Sequence, residues 1–139
     1  MKTVSRNESE TFDLGYNLGK NLGGGSTVLL SGFLGAGKTV FCKGVGKALG
    51  VGGDMLSPTF PLMCAYKTEN GLTLCHIDAY RLKNASEAEE AGIAEVVGAS
   101  DTVALIEWHE NIAALLAGRE AVKVEIRVLG ESEREITIT

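Results

Sequence analysis

One eight-residue segment constrains most of what this 139-residue chain can fold into. Gly32-Phe33-Leu34-Gly35-Ala36-Gly37-Lys38-Thr39 fits G-x-x-x-x-G-K-[ST], a loop that wraps a phosphate chain. Such a loop works between a buried strand and the start of a helix. Its glycines let successive backbone N–H groups turn toward an anion, and the helix adds its positive end. Both flanks are legible. Val28-Leu29-Leu30 reads as a short buried strand. From Lys38 to Leu49, the apolar residues Phe41, Val45, Ala48 and Leu49 recur at i, i+4, i+7 and i+8, one face of a helix that Gly50 and Gly52-Gly53 end. The motif assigns Lys38 to the β- and γ-phosphates and the Thr39 hydroxyl to Mg²⁺.

The remaining segments predict a layered α/β domain. Glu8 to Leu22 reads as a short helix, interrupted by Gly15 and Gly19 and held more by packing than by propensity. Phe60–Tyr66 and Leu72–Ile77 read as strands, with Asn70-Gly71 as a tight hairpin turn. Ser86 and Glu89 have capping-box spacing and predict a helix starting near Glu87. Val103-Ala104-Leu105-Ile106 is a second buried strand that stops at Glu107, and Ile112–Leu116 predicts a short helix. Val122–Val128 alternates cleanly and pairs with Ile136–Thr139 across Gly130. The expected fold is a single P-loop NTPase-like three-layer α/β domain over residues 1–139. Its mixed β-sheet has a parallel centre and antiparallel hairpins.

Composition removes several classes. Eighteen glycines are nearly double the usual share of about 7%, and with two prolines they do not make a linker. They need a local reason. No apolar run approaches the roughly 20 residues of a membrane helix. The first eight residues carry no apolar stretch, so no signal peptide is expected and cytoplasm is the expected compartment. Cys42, Cys64 and Cys75 form no CxxC pair and read as small core residues. A net charge of −5 argues against a basic nucleic-acid surface.

Glu107 ends an apolar strand, where a carboxylate meets the phosphate loop if the two strands are neighbours. It is either a metal ligand or a solvated strand-end acid, and the loop favours the ligand. Gly44-Val45-Gly46 lies inside a helix and lacks the sixth-position glycine of a dinucleotide fingerprint, so packing explains it better. Trp108 reads as a packing residue and His109 as a helix-start or surface residue. His76 and Asp78 share one face of a strand; such a pair is usually solvated, and beside a nucleotide it would position the γ-phosphate or a water.

The P-loop, then Ser57-Pro58-Thr59-Phe60, His76-Ile77-Asp78-Ala79-Tyr80-Arg81-Leu82 and Glu107-Trp108, in this order, resemble the TsaE family of small P-loop ATPases. That family supports threonylcarbamoyl-adenosine modification of tRNA. The resemblance implies ATP binding at Gly32, Gly35, Ala36, Gly37, Lys38, Thr39 and Val40, with Thr11 and Arg134 in flanking regions. It implies Mg²⁺ held by Thr39 and Glu107, a switch-type Thr59, and Asp78 serving hydrolysis. It also implies a threonylcarbamoyl transferase and its paralogous subunit as partners, with tRNA reached only through them. Phe33, Val40 and His109 depart from the residues common in the family, and none of the three is a phosphate-contacting position.

Two other functions share these parts. A small-molecule kinase uses the same loop and acid, but the chain has no long insertion for an arginine-rich lid. A nucleotide-dependent regulator would bind without appreciable hydrolysis. With Arg134 the only loosely matched arginine finger, slow hydrolysis in isolation is expected.

Overall fold

The computed structural model describes residues 1–33, 35–53, 55 and 63–139. Seven described strands, β1 (Lys2–Ser5), β2 (Thr27–Ser31), β3 (Met63–Lys67), β4 (Thr73–Asp78), β5 (Thr102–Glu107), β6 (Val122–Val128) and β7 (Arg134–Ile138), form one sheet in the order β1-β7-β6-β2-β5-β4-β3. The four central strands β6, β2, β5 and β4 are parallel, and both edges are antiparallel. This is the mixed sheet the sequence predicts.

Helices cover both faces. Helices α1 (Glu8–Gly19) and α2 (Lys38–Leu49) lie on one, where Phe41, Val45 and Leu49 of α2 meet Val28, Leu30, Val103 and Leu105. The short α3 (Ala85–Glu90), α4 (Ile93–Val96) and α5 (Ala113–Leu116) lie on the other, over Leu29, Ile77, Ala104 and Ile106. Adjacent residues of β2 and β5 therefore enter different cores, as a strand's period of two requires, and this makes their sequences apolar throughout.

The glycines of α1 and α2 are packing devices. A Cβ on Gly15 would run into the Phe41 carbonyl oxygen, and one on Gly44 into the Phe12 carbonyl oxygen. Each helix lets the other's backbone approach because those side chains are missing. A Cβ on Gly19 would stand 2.8 Å from the Ala48 Cβ and the Val45 oxygen.

Four expectations are corrected. Asn70-Gly71 is not a two-residue turn: β3 and β4 are joined by residues 68–72, with only Gly71 at positive φ (+85°). The backbone closes instead from the Thr68 N–H to the Leu72 carbonyl (3.1 Å), and inside that turn the Asn70 carboxamide oxygen accepts from the Thr68 hydroxyl (2.6 Å). Helix α3 starts two residues early, because Asn84 accepts from the Glu87 N–H at 3.0 Å and outcompetes Ser86 as cap. β7 begins at Arg134 rather than Ile136. Lys2–Ser5, not foreseen as a strand, pairs antiparallel with β7. Such a short edge strand is defined by its partner more than by its own pattern. The expected strand start at Phe60 lies outside the described residues.

Candidate functional site

The site forms at the C-terminal edge of the parallel strands. Between β2 and α2 the chain turns through Gly32 (φ +155°), Gly35 (+79°) and Gly37 (+105°), conformations that strain any residue with a Cβ. Gly37 caps α2 without a side chain, and the first turn contains no acid. The positive helix end is thus left for an external anion. Lys38, 7% exposed, starts the helix, and the half-buried Thr39 follows it.

β5 is the immediate neighbour of β2, so the condition set on Glu107 is met. Val103 and Leu105 face α2, and the period of two sends Glu107 the same way. Its Oε1 lies 3.5 Å from the Lys38 Nζ, and its Oε2 lies 2.7 Å from the His76 Nε2. Burial pushes the Glu107 carboxyl up, but the hydrogen bond and field of His76 and the Lys38 ammonium outweigh it and hold the group below its ordinary value. Glu107 is an ionised, buried carboxylate, not a solvated strand-end acid.

A depressed carboxyl stabilises the fold at pH values above its unfolded pKa and loses that contribution as pH falls through the folded value. Glu107→Gln should therefore be less stable than the parent near pH 7, with the gap closing below about pH 4. Urea melts at pH 3.5 and 7 check this; an equal gap at both would show that the charge contributes nothing.

Asp78 ends β4 and stands in register with Glu107, so both acids lie side by side at the sheet edge. Its Oδ1 accepts from the Tyr80 N–H at 2.9 Å, while the Asn111 side chain donates to the Ala79 and Tyr80 carbonyls. The turn after β4 is thereby pinned. His76 is not the solvated neighbour expected: it is 1% exposed, because β3, β5 and α2 enclose its position on β4. Alternation alone does not distinguish a solvated face from a second buried one.

Two clefts flank the loop. One, about 350 Å³, gathers Thr11 of α1, Gly35, Ala36 and Gly37 of the loop, Val40 of α2 and Arg134 of β7. The other, about 320 Å³, is lined by Ser31, Gly32, Phe33, Lys38 and Trp108 among others. The Thr11 hydroxyl is held by Ser5 at 2.6 Å. Arg134 grips the loop itself: Nε donates to the Ala36 carbonyl (3.0 Å), Nη2 to Gly35 (3.3 Å) and Nη1 to Gly130 (2.8 Å). Thr59 lies outside the described residues.

Trp108 is the packing residue that the sequence predicts. It packs on the second core and also lines the cleft, with its ring 5.5 Å from the Lys38 Nζ and 4.9 Å from the Tyr80 ring. Its φ of +58° makes it the only non-glycine at positive φ among the described residues, a conformation costing about 1–3 kcal/mol that surrounding structure must hold in place. Its position directly after a strand-end acid was the available signal. His109 starts a 3-10 turn (His109–Ile112), as read, and reaches Ser31 Oγ at 3.0 Å.

These residues fit a nucleotide with Mg²⁺. Among the described residues no group of three or more His, Cys, Asp or Glu side chains could hold a metal. A hydroxyl and one ionised carboxylate suit instead a hard cation that takes its other oxygens from phosphate and water.

Fold and loop together define a P-loop NTPase-like α/β domain. Comparison with known proteins narrows the class. The family model for threonylcarbamoyl adenosine biosynthesis protein TsaE matches residues 5–136, and the chain belongs to that family. It is 40% identical over 138 residues to the tRNA threonylcarbamoyladenosine biosynthesis protein TsaE of Treponema pallidum, covering 99% of both chains. It is 38% identical over 133 residues to the Streptomyces coelicolor protein of the same name, covering 91% of this chain and 88% of the relative. The crystal structure of Bacillus subtilus YdiB superposes with a TM-score of 0.73 at 29% identity, over 99% of this chain and 83% of that one. Among the described residues no helix is long and apolar enough to cross a membrane.

Proposed function

We propose that the protein is the ATP-binding and ATP-hydrolysing subunit of the tRNA threonylcarbamoyladenosine machinery, slow in isolation and active on a threonylcarbamoyl transferase and its paralogous partner. The observation that carries this reading is the ionised Glu107 held against Lys38 at the mouth of a glycine loop. Lys38 would release Glu107 to meet the β- and γ-phosphates, leaving that carboxylate and the Thr39 hydroxyl for the cation. Mg²⁺, when bound, would screen phosphate charge and orient the triphosphate. Asp78, pinned beside Glu107, would position the attacking water. Thr11, Val40 and Arg134 would bound the rest of the nucleotide.

Slow turnover alone follows from the parts. Arg134, the one arginine read as a possible finger, is occupied by backbone carbonyls. A finger supplied in trans is worth about 10³ to 10⁵ in rate. Phe33 (84% exposed) and Tyr80 (61%) stand at the site and give a partner apolar surface to cover. The net charge of −5 agrees with tRNA being held by another subunit, and the machinery's location would be the cytoplasm.

The test is phosphate release by the isolated protein, then with the purified transferase pair. We expect slow release alone, faster release with the pair, and co-elution with the pair in ATP. Fast turnover unchanged by the pair, or phosphate delivered to a small acceptor, overturns the reading. Asp78→Ala should keep ATP affinity within about threefold while lowering turnover at least about tenfold, since a water-positioning group acts in the transition state. Lost affinity with unchanged turnover would contradict that role.

A further inference from the structure

We infer that His76 is a positioning residue for Glu107, which by tying down one oxygen of its carboxylate keeps the other presented to the phosphate loop. The inference rests on the nucleotide reading above and deepens it. A carboxylate only accepts, so the 2.7 Å contact requires the proton on the His76 Nε2. Among the described residues the buried His76 Nδ1 has no hydrogen-bond partner.

The division of the carboxylate follows. Oε2 belongs to His76, and Oε1 faces Lys38 at 3.5 Å. The Cys42 Sγ of α2 lies 3.8 Å from the same Nε2, and β3 and β5 flank the ring's strand, so the imidazole has little room to turn. A rigid donor of this kind fixes which carboxylate oxygen is offered and in which direction. Losing such an outer partner typically weakens metal binding about 10- to 100-fold.

Two measurements test it. Titrate an ATP analogue, with Mg²⁺ and with EDTA, against the parent, Glu107→Gln, His76→Gln and His76→Phe. Glutamine keeps an N–H donor and phenylalanine does not. We expect His76→Phe to weaken Mg²⁺-dependent binding about 10-fold or more, binding in EDTA to change less than about twofold, and His76→Gln to recover most of the loss. Equal losses with and without Mg²⁺, or His76→Phe behaving as the parent, overturn the inference. If the parent and Glu107→Gln show the same Mg²⁺ dependence, the metal reading itself fails and takes this one with it. Should His76→Phe not fold, ¹⁵N-edited NMR of the parent's histidine rings decides independently. A proton on Nε2 supports the inference, and a ring protonated only at Nδ1 overturns it.

Discussion

Lys38→Ala should weaken nucleotide binding or turnover by about 2–4 kcal/mol, roughly 30- to 900-fold. The ammonium is not a surface charge: it is 7% exposed, at the first position of a helix whose N-cap has no side chain. Its partner in the structure is Glu107, at 3.5 Å. Removing it takes away the cation proposed for the phosphates and also the charge that helps keep Glu107 ionised. The second effect is partly offset, because His76 still donates to Glu107. Titration of a fluorescent ATP analogue against both proteins, with thermal melts to establish that the variant is folded, measures the loss. Equal affinity and equal turnover would remove the phosphate-loop assignment.

Gly44→Ala should lower Tm by roughly 4–12 °C, a loss of about 1–3 kcal/mol from overpacking. Helix propensity predicts the opposite sign, since alanine is favoured over glycine by about 1 kcal/mol in a helix interior. Packing wins because of what the new methyl would meet. The nearest atoms are the Phe12 carbonyl and the Tyr16 nitrogen at 2.8 Å, all backbone of α1, and none can rotate away. The helices must separate instead. Since α2 begins at Lys38, such a shift should also weaken nucleotide binding, although Gly44 is not a site residue. A calorimetric scan that finds Tm unchanged or raised would show that the two helices have slack.

These two residues illustrate different kinds of legibility. Lys38 was readable because the phosphate loop is a local device: its strand, glycines, lysine and helix follow one another without interruption. The parallel centre was readable as well, since Val28–Leu30 and Val103–Ile106 are apolar at every position, and only a strand covered on both faces requires that. Gly44 was recognised as a packing glycine, but its neighbours were not, since they belong to another helix.

What the sequence determined by itself was the set of parts: the loop, Lys38 and Thr39, Glu107 at a strand end, Asp78 two residues from His76, and helix α2 to the residue. What the tertiary structure decided was how they are joined. Setting β5 between β2 and β4 brings Glu107 to both Lys38 and His76, across 69 and 31 positions of chain. The same arrangement buried His76, and the β6–β7 hairpin delivered Arg134 to the carbonyls of a loop 98 residues earlier. The reason is physical. Capping, glycine turns and apolar periodicity act over a few residues and leave a mark in sequence. Strand order and burial depend on which surfaces meet, and contacts of that range carry no local signature.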